Sequence, residues 1–120
     1  MRNMVGILWC AGIVSGLLAC SQQAPEQALS ESARLNEWFD ARYEEYLDRF
    51  PMMKTRLGRK EDYDQIDDMS EAGEDALFEW RGQTVDELRE SFDYALLTPE
   101  AKTSYDLWIY QYTLAEAARP

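Results

Sequence analysis

SESARLNEWFDARYEEYLDRF, residues 30 to 50, decides the fold class. Its large apolar residues are Leu35, Trp38, Phe39, Tyr43, Tyr46, Leu47 and Phe50. They recur at steps of three or four, or as adjacent pairs, which keeps them on one side of a 3.6-residue helix. Glu37, Asp40, Glu44, Glu45 and Asp48 take the opposite side. Ser30 or Ser32 can cap the first turn, and Pro51 disfavours helical backbone at the residue before it. The spacing therefore predicts an amphipathic core helix with a solvated acidic back.

Downstream, Pro51 to Leu57 is compatible with one helical turn ending at Gly58, whose free φ suits the position after a helix. Arg59 to Asp68 (RKEDYDQIDD) is dense in charge and lacks an apolar stripe, so it reads as a surface loop. Ser70 to about Ser91 reads as a second helix, with Ala76, Leu77, Trp80, Thr84, Leu88 and Phe92 at helical spacing. Gly73 and Gly82 each cost about 1 kcal/mol against Ala inside a helix, which leaves a kink or break near Gly82 open. Thr98-Pro99-Glu100 opens a third helix: a capping hydroxyl, a proline where no N–H is needed, and a carboxylate at the positive end of the dipole. That helix is expected to reach about Ala117, with Ala101, Tyr105, Trp108, Tyr112 and Ala115 on one stripe. The expected fold is all-α, with three main amphipathic helices over residues 30–120, no strands and no repeat.

Upstream, Arg2 is followed by an uncharged apolar run, Val5 to Leu18. The run is short for a bilayer span, which needs roughly 20 apolar residues, and small residues follow it as in a secretory signal. A transmembrane anchor is the alternative. Leu17-Leu18-Ala19-Cys20 resembles the lipobox of bacterial lipoproteins, in which the cysteine thiol takes a diacylglycerol thioether and the peptide before it is removed. The resemblance implies a signal peptide over 1–19, a lipidated Cys20, and a flexible tether through residue 29 (SQQAPEQAL, with one proline and no periodicity). An ordinary buried or disulfide cysteine is the alternative, but the other cysteine, Cys10, lies in the apolar run, so the mature chain would hold no bridge. Membrane attachment would then come through the acyl chains on Cys20, each methylene contributing about 0.8 kcal/mol. Ser21 stands where an aspartate signals inner-membrane retention in many diderm bacteria, which implies the outer membrane, facing the periplasm.

All 23 acidic residues and 11 of the 12 basic ones follow Cys20, a net charge of −12 on 101 residues. This disfavours nucleic acid, whose binding needs basic residues to displace phosphate counterions, and direct adhesion to anionic lipid. The chain has no histidine. The commonest general base, the Ser–His and Cys–His pairs and the usual zinc sites are therefore missing, and no catalytic residue or cofactor is assigned. Asp62, Asp64, Asp67 and Asp68 are weak candidates for a hard cation, set against a plain solvated loop. Their spacing fails the EF-hand pattern, with Asp67 where a glycine is needed and Gly73 where a bidentate glutamate is needed.

Three stretches resemble the beginning of a bacterial family known as domain of unknown function 885. They are ARLNEWFDARYEEYLDRFP at 33–51, Leu57-Gly58 followed by EDYDQIDDMS at 61–70, and LTPEAKTSYDLWIYQYTLAEA at 97–117. Members are usually longer, largely helical, and often exported with a lipid anchor. At full length they resemble zinc metallopeptidases of the His-Glu-x-x-His type. That motif lies downstream of the matched region, so no metal ligand carries over, and zinc is expected only in the missing part. The resemblance implies a truncated, non-catalytic helical module or a fragment of a larger metallopeptidase-like protein. The alternative is a free-standing periplasmic adaptor that binds an envelope partner.

Fourteen aromatic rings follow Cys20, and each can bury about 150–250 Å². On the third helix Leu107, Trp108, Ile109, Tyr110 and Tyr112 point around most of the circumference, a pattern of helices buried in a larger body. These five form the expected interaction face, for a protein partner or the missing C-terminal part, with an exposed apolar patch centred on Leu107, Ile109 and Tyr110. The alternative is that the tyrosines hold their hydroxyls in water and the surface is ordinary.

Overall fold

Pro51 sets the first corner of the chain. In the computed structural model, which describes residues 23–119, helix α1 (Gln23–Arg49) ends where Phe50 leaves helical geometry at φ −126°, ψ 73°. The proline then serves as the first residue of a short helix α2 (Pro51–Arg56), where its missing N–H costs nothing. Gly58 follows α2 with φ +79°, a left-handed conformation that glycine adopts without strain. A loop leads to α3 (Glu71–Ser91), a 3-10 turn (Tyr94–Leu96) and α4 (Pro99–Ala117). The fold is all-α, and the described residues contain no strand.

One expectation changes. Residues 23–29, read as tether, belong to α1. Pro25 does not prevent this, because it stands in the first turn, where a backbone N–H has no intrahelical acceptor. The helix α3 runs through Gly73 and Gly82 as the spacing predicts, without the kink or break left open near Gly82. A Cβ on Gly82 would lie 3.1 Å from the Tyr112 hydroxyl, and one on Gly73 would lie 2.7 Å from the Asp68 carbonyl oxygen. Both glycines thus admit a neighbour, and tertiary packing outweighs their low helix propensity.

The Thr98 cap follows the sequence, whereas Ser30 and Ser32 do not cap α1, because the helix already begins at Gln23. Ser70 Oγ accepts from Gly73 N at 3.1 Å, and Thr98 Oγ1 accepts from Ala101 N at 3.3 Å. Leu35, Leu88, Phe92, Leu97, Ala101 and Tyr105 form the buried core, with Trp38, Phe39, Trp108 and Ile109 packed against it. Trp38 meets Phe39, Phe92 and Trp108 edge-on, with centroids 5.3, 6.1 and 5.4 Å away. Such edge contacts add about 0.5–1.5 kcal/mol each beyond burial. Leu47 and Val85, both nearly fully buried, extend the apolar interior.

Polar contacts fix the connector between α3 and α4 to the third and fourth turns of α1. Arg34 donates to the Ser91 carbonyl at 2.6 Å, Glu31 accepts from Asp93 N at 3.0 Å, and the buried Ser32 Oγ accepts from Thr98 N at 3.0 Å. The Arg34 guanidinium holds the Glu31 carboxyl below its ordinary range. These bonds satisfy backbone groups that neither helix can satisfy itself.

Candidate interaction face

Helix α4 has two unlike sides. Its first turn is fixed by the Thr98 cap and by Ala101, which is buried. From there Tyr105, Trp108, Ile109 and Tyr112 follow at steps of four, three or one and so face α1 and α3. Of these, Trp108 makes the most ring contacts: its ring lies 5.4 Å from Trp38, 5.3 Å from Phe39 and 6.5 Å from Trp80, and its Nε1 donates to Thr84 Oγ1 at 3.2 Å. Tyr112 stacks on Phe78 at 5.2 Å, beside Gly82.

Leu107, Tyr110 and Leu114 take the other side at i, i+3 and i+7, and they are 51%, 57% and 52% exposed. The five residues of the expected face are therefore divided. Leu107 and Tyr110 are outside, whereas Trp108, Ile109 and Tyr112 are half-buried against the interior. Ile109 is not at the centre of an exposed patch, because it stands one turn beyond the buried Tyr105 and shares its side. Leu114 belongs to the outer stripe instead, and the i, i+3, i+7 spacing from Leu107 is the signal that finds it.

The exposed Gln111 stands on the same side between Leu107 and Leu114, and further polar groups border the stripe near its start. Tyr94 Oη donates to Asp106 at 2.9 Å, and Lys102 lies over the Tyr94 ring at 5.3 Å. The Asp106 carboxylate pushes the Tyr94 phenol up from its ordinary value, and burial does the same for Tyr105. Tyr94 and Tyr105 therefore stay neutral at physiological pH.

The acidic loop is held by separate partners. Asp62 accepts from Lys54 Nζ at 2.7 Å, Asp67 from Met52 N at 3.0 Å and Asp68 from Ser70 N at 3.0 Å, while Asp64 is exposed. Asp68 is drawn below the ordinary carboxylate range by its bonds from Ser70. Among the described residues no three Asp, Glu, His or Cys side chains converge in a way that could hold a metal ion. Lys54 explains the loop's position: it is buried and pairs with both Asp48, at 2.6 Å, and Asp62. Arg59 adds a two-pronged pair to Glu44 at 2.5 and 2.7 Å. Cys20 lies outside the described residues. No helix among the described residues is long and apolar enough to cross a membrane. Compared with family models, curated proteins and solved structures, the chain has no match.

Proposed function

We propose that this chain is a lipid-anchored protein of the bacterial cell envelope, a non-catalytic helical module that docks through the outer face of α4. The observation that supports docking is the half-exposed stripe of Leu107, Tyr110 and Leu114 on a helix whose other side is already occupied. Isolated exposed apolar residues are ordinary, whereas a row of three large ones along one helix face is a docking signal. The anchor rests on the order of the sequence: Arg2, an uncharged apolar run, Leu17-Leu18-Ala19-Cys20, then polar residues. By the sorting rule for Ser21, the site is the outer membrane on its periplasmic side.

Two measurements test this reading. Palmitate should label the wild-type chain and not Cys20→Ser; equal labelling of both contradicts the anchor. At neutral pH the full chain should bind a hydrophobic dye or self-associate, and a double substitution of Leu107 and Leu114 by Gln should suppress either effect. A monodisperse monomer without dye binding removes the support for docking.

The resemblance to the domain of unknown function 885 supports a second reading, in which the same face is the seam to a further part of a metallopeptidase-like protein. A downstream reading frame encoding His-Glu-x-x-His favours that reading, and its absence favours the free-standing adaptor.

A further inference from the structure

A groove of about 570 Å³ lies on a different part of the molecule, between the end of α1, the loop after α2 and the first turns of α3. Phe50 and Leu77, both half-buried, and Met69, 86% exposed, supply its apolar lining. Asp67, Asp68 and Glu74 line it as well. Its volume falls in the range of ligand pockets, about 300–1,000 Å³.

The charge around this lining is only partly answered. Lys54 pairs with Asp48, another lining residue, but it is shared with Asp62. Asp67 and Asp68 accept backbone N–H bonds, which orient a carboxylate without cancelling its charge. Among the described residues Glu74 has no ion-pair partner. The one cationic lining residue, Arg49, lies over the Trp80 ring at 5.2 Å and not on a carboxylate.

A divalent cation does not fit, because these carboxylates do not converge on a point. A second copy brings the same negative charge to the contact, since the chain carries a formal net charge of −11. The chain's own N-terminal segment offers one basic residue, Arg2, in its first 22. An extended cation with an apolar centre matches both features. We propose that the groove receives a basic peptide segment of a partner protein. One apolar side chain would lie on Phe50, Leu77 and Met69, with flanking lysines or arginines against Asp67, Asp68 and Glu74. This proposal does not depend on what docks on α4.

Fluorescence anisotropy on the full chain in detergent tests it. The probes are labelled pentapeptides: Lys-Lys-Leu-Lys-Lys, its Glu-for-Lys counterpart, and its Ser-for-Leu counterpart. The lysine–leucine peptide should bind, the serine version about fivefold more weakly, and the glutamate version not at all. Binding should weaken when salt rises from about 0.05 to 0.5 M, because exposed charges are screened. Glu74→Lys should weaken it about tenfold, and Met69→Ser, at a position with little packing to lose, by a smaller factor. If Glu74→Lys loses helical circular dichroism, Glu74→Gln removes the charge alone and should weaken binding in the same direction. The proposal is overturned by no binding up to about 1 mM peptide, by equal binding of the glutamate peptide, or by full affinity in the folded Glu74 variant. Dimerisation that Glu74→Lys abolishes would assign the groove to a second copy and overturn it as well.

Discussion

The indole Nε1 of Trp108 donates to Thr84 Oγ1 at 3.2 Å, joining the inner side of α4 to the centre of α3. Thr84 is 2% exposed, and its hydroxyl in turn donates to the Arg81 carbonyl at 2.8 Å. Replacing Thr84 by Val keeps the shape and removes the acceptor, so the half-buried indole N–H loses its protein partner. Leaving a buried donor unmatched costs about 1–3 kcal/mol. Thr84→Val should therefore lower the unfolding free energy of the full chain by that amount, read as a lower denaturant midpoint, without changing its helical content. A midpoint equal to wild type would mean that water takes the place of the hydroxyl.

The two glycines of α3 should respond differently to alanine. Elsewhere in a helix this change gains about 1 kcal/mol. At Gly73 the new methyl would meet the Asp68 carbonyl oxygen at 2.7 Å, and backbone cannot yield cheaply. Gly73→Ala should destabilise by about 1–3 kcal/mol, the usual cost of overpacking. At Gly82 the obstacle is the far end of Tyr112, at 3.1 Å. Gly82→Ala should be nearly neutral in the wild type and stabilising by about 0.5–1 kcal/mol in a Tyr112→Ala background, where only the propensity difference remains. Equal effects in both backgrounds would show that Tyr112 does not press on this site.

How much of this arrangement is legible in the sequence depends on the kind of signal. Ser70, Thr98, Pro51 and Gly58 mark boundaries by local chemistry, and the structure places caps, corner and left-handed turn at them. Leu35, Leu47, Trp80 and Leu88 follow the helical period and are buried. What the period cannot supply is the orientation of a helix that is apolar on most sides. In α4, Ile109 and Tyr110 are adjacent and similar in size, and only contact with α1 and α3 turns one in and the other out. Lys54 is harder still, since a lysine after two methionines has no sequence mark of burial. Its position follows from Asp48 and Asp62 meeting in space.

Lys54 and its neighbours set the response to acid. The Lys54 ammonium holds the Asp48 carboxyl below its ordinary value of 3.8, and Arg59 and Arg34 do the same for Glu44 and Glu31, whose ordinary value is 4.5. A group whose pKa is lowered by folding contributes stability that is present above the unfolded value and lost as pH falls through the folded one. Thermal melting should thus be nearly flat from pH 7 down to about 5.5 and fall progressively below about 4.5. The raised pKa of Lys54 works in the opposite sense. Its contribution is full below the ordinary lysine value and is lost only as pH rises past it into strong alkali. Lys54→Met should lower the melting temperature at pH 7 and flatten the acid limb. An acid limb of unchanged steepness would place the dependence on other carboxylates.

The two sides of α4 should separate cleanly under substitution. Leu107→Gln and Leu114→Gln change half-exposed positions, and glutamine forms helix about as well as leucine. Each should shift the unfolding free energy by no more than about 0.5–1 kcal/mol. Ile109→Ala removes a side chain packed against the core and should cost about 2–4 kcal/mol. Trp108→Ala empties the space between Trp38, Phe39 and Trp80 and should cost about 3–5 kcal/mol, a large part of the stability of a small domain. Urea titration followed by far-ultraviolet circular dichroism measures all four, because the signal reports helix and not the substituted indole. The contrast between neighbours carries the argument. If Leu107→Gln costs as much as Trp108→Ala, the outer stripe is already covered within the chain, and α4 presents no face to a partner.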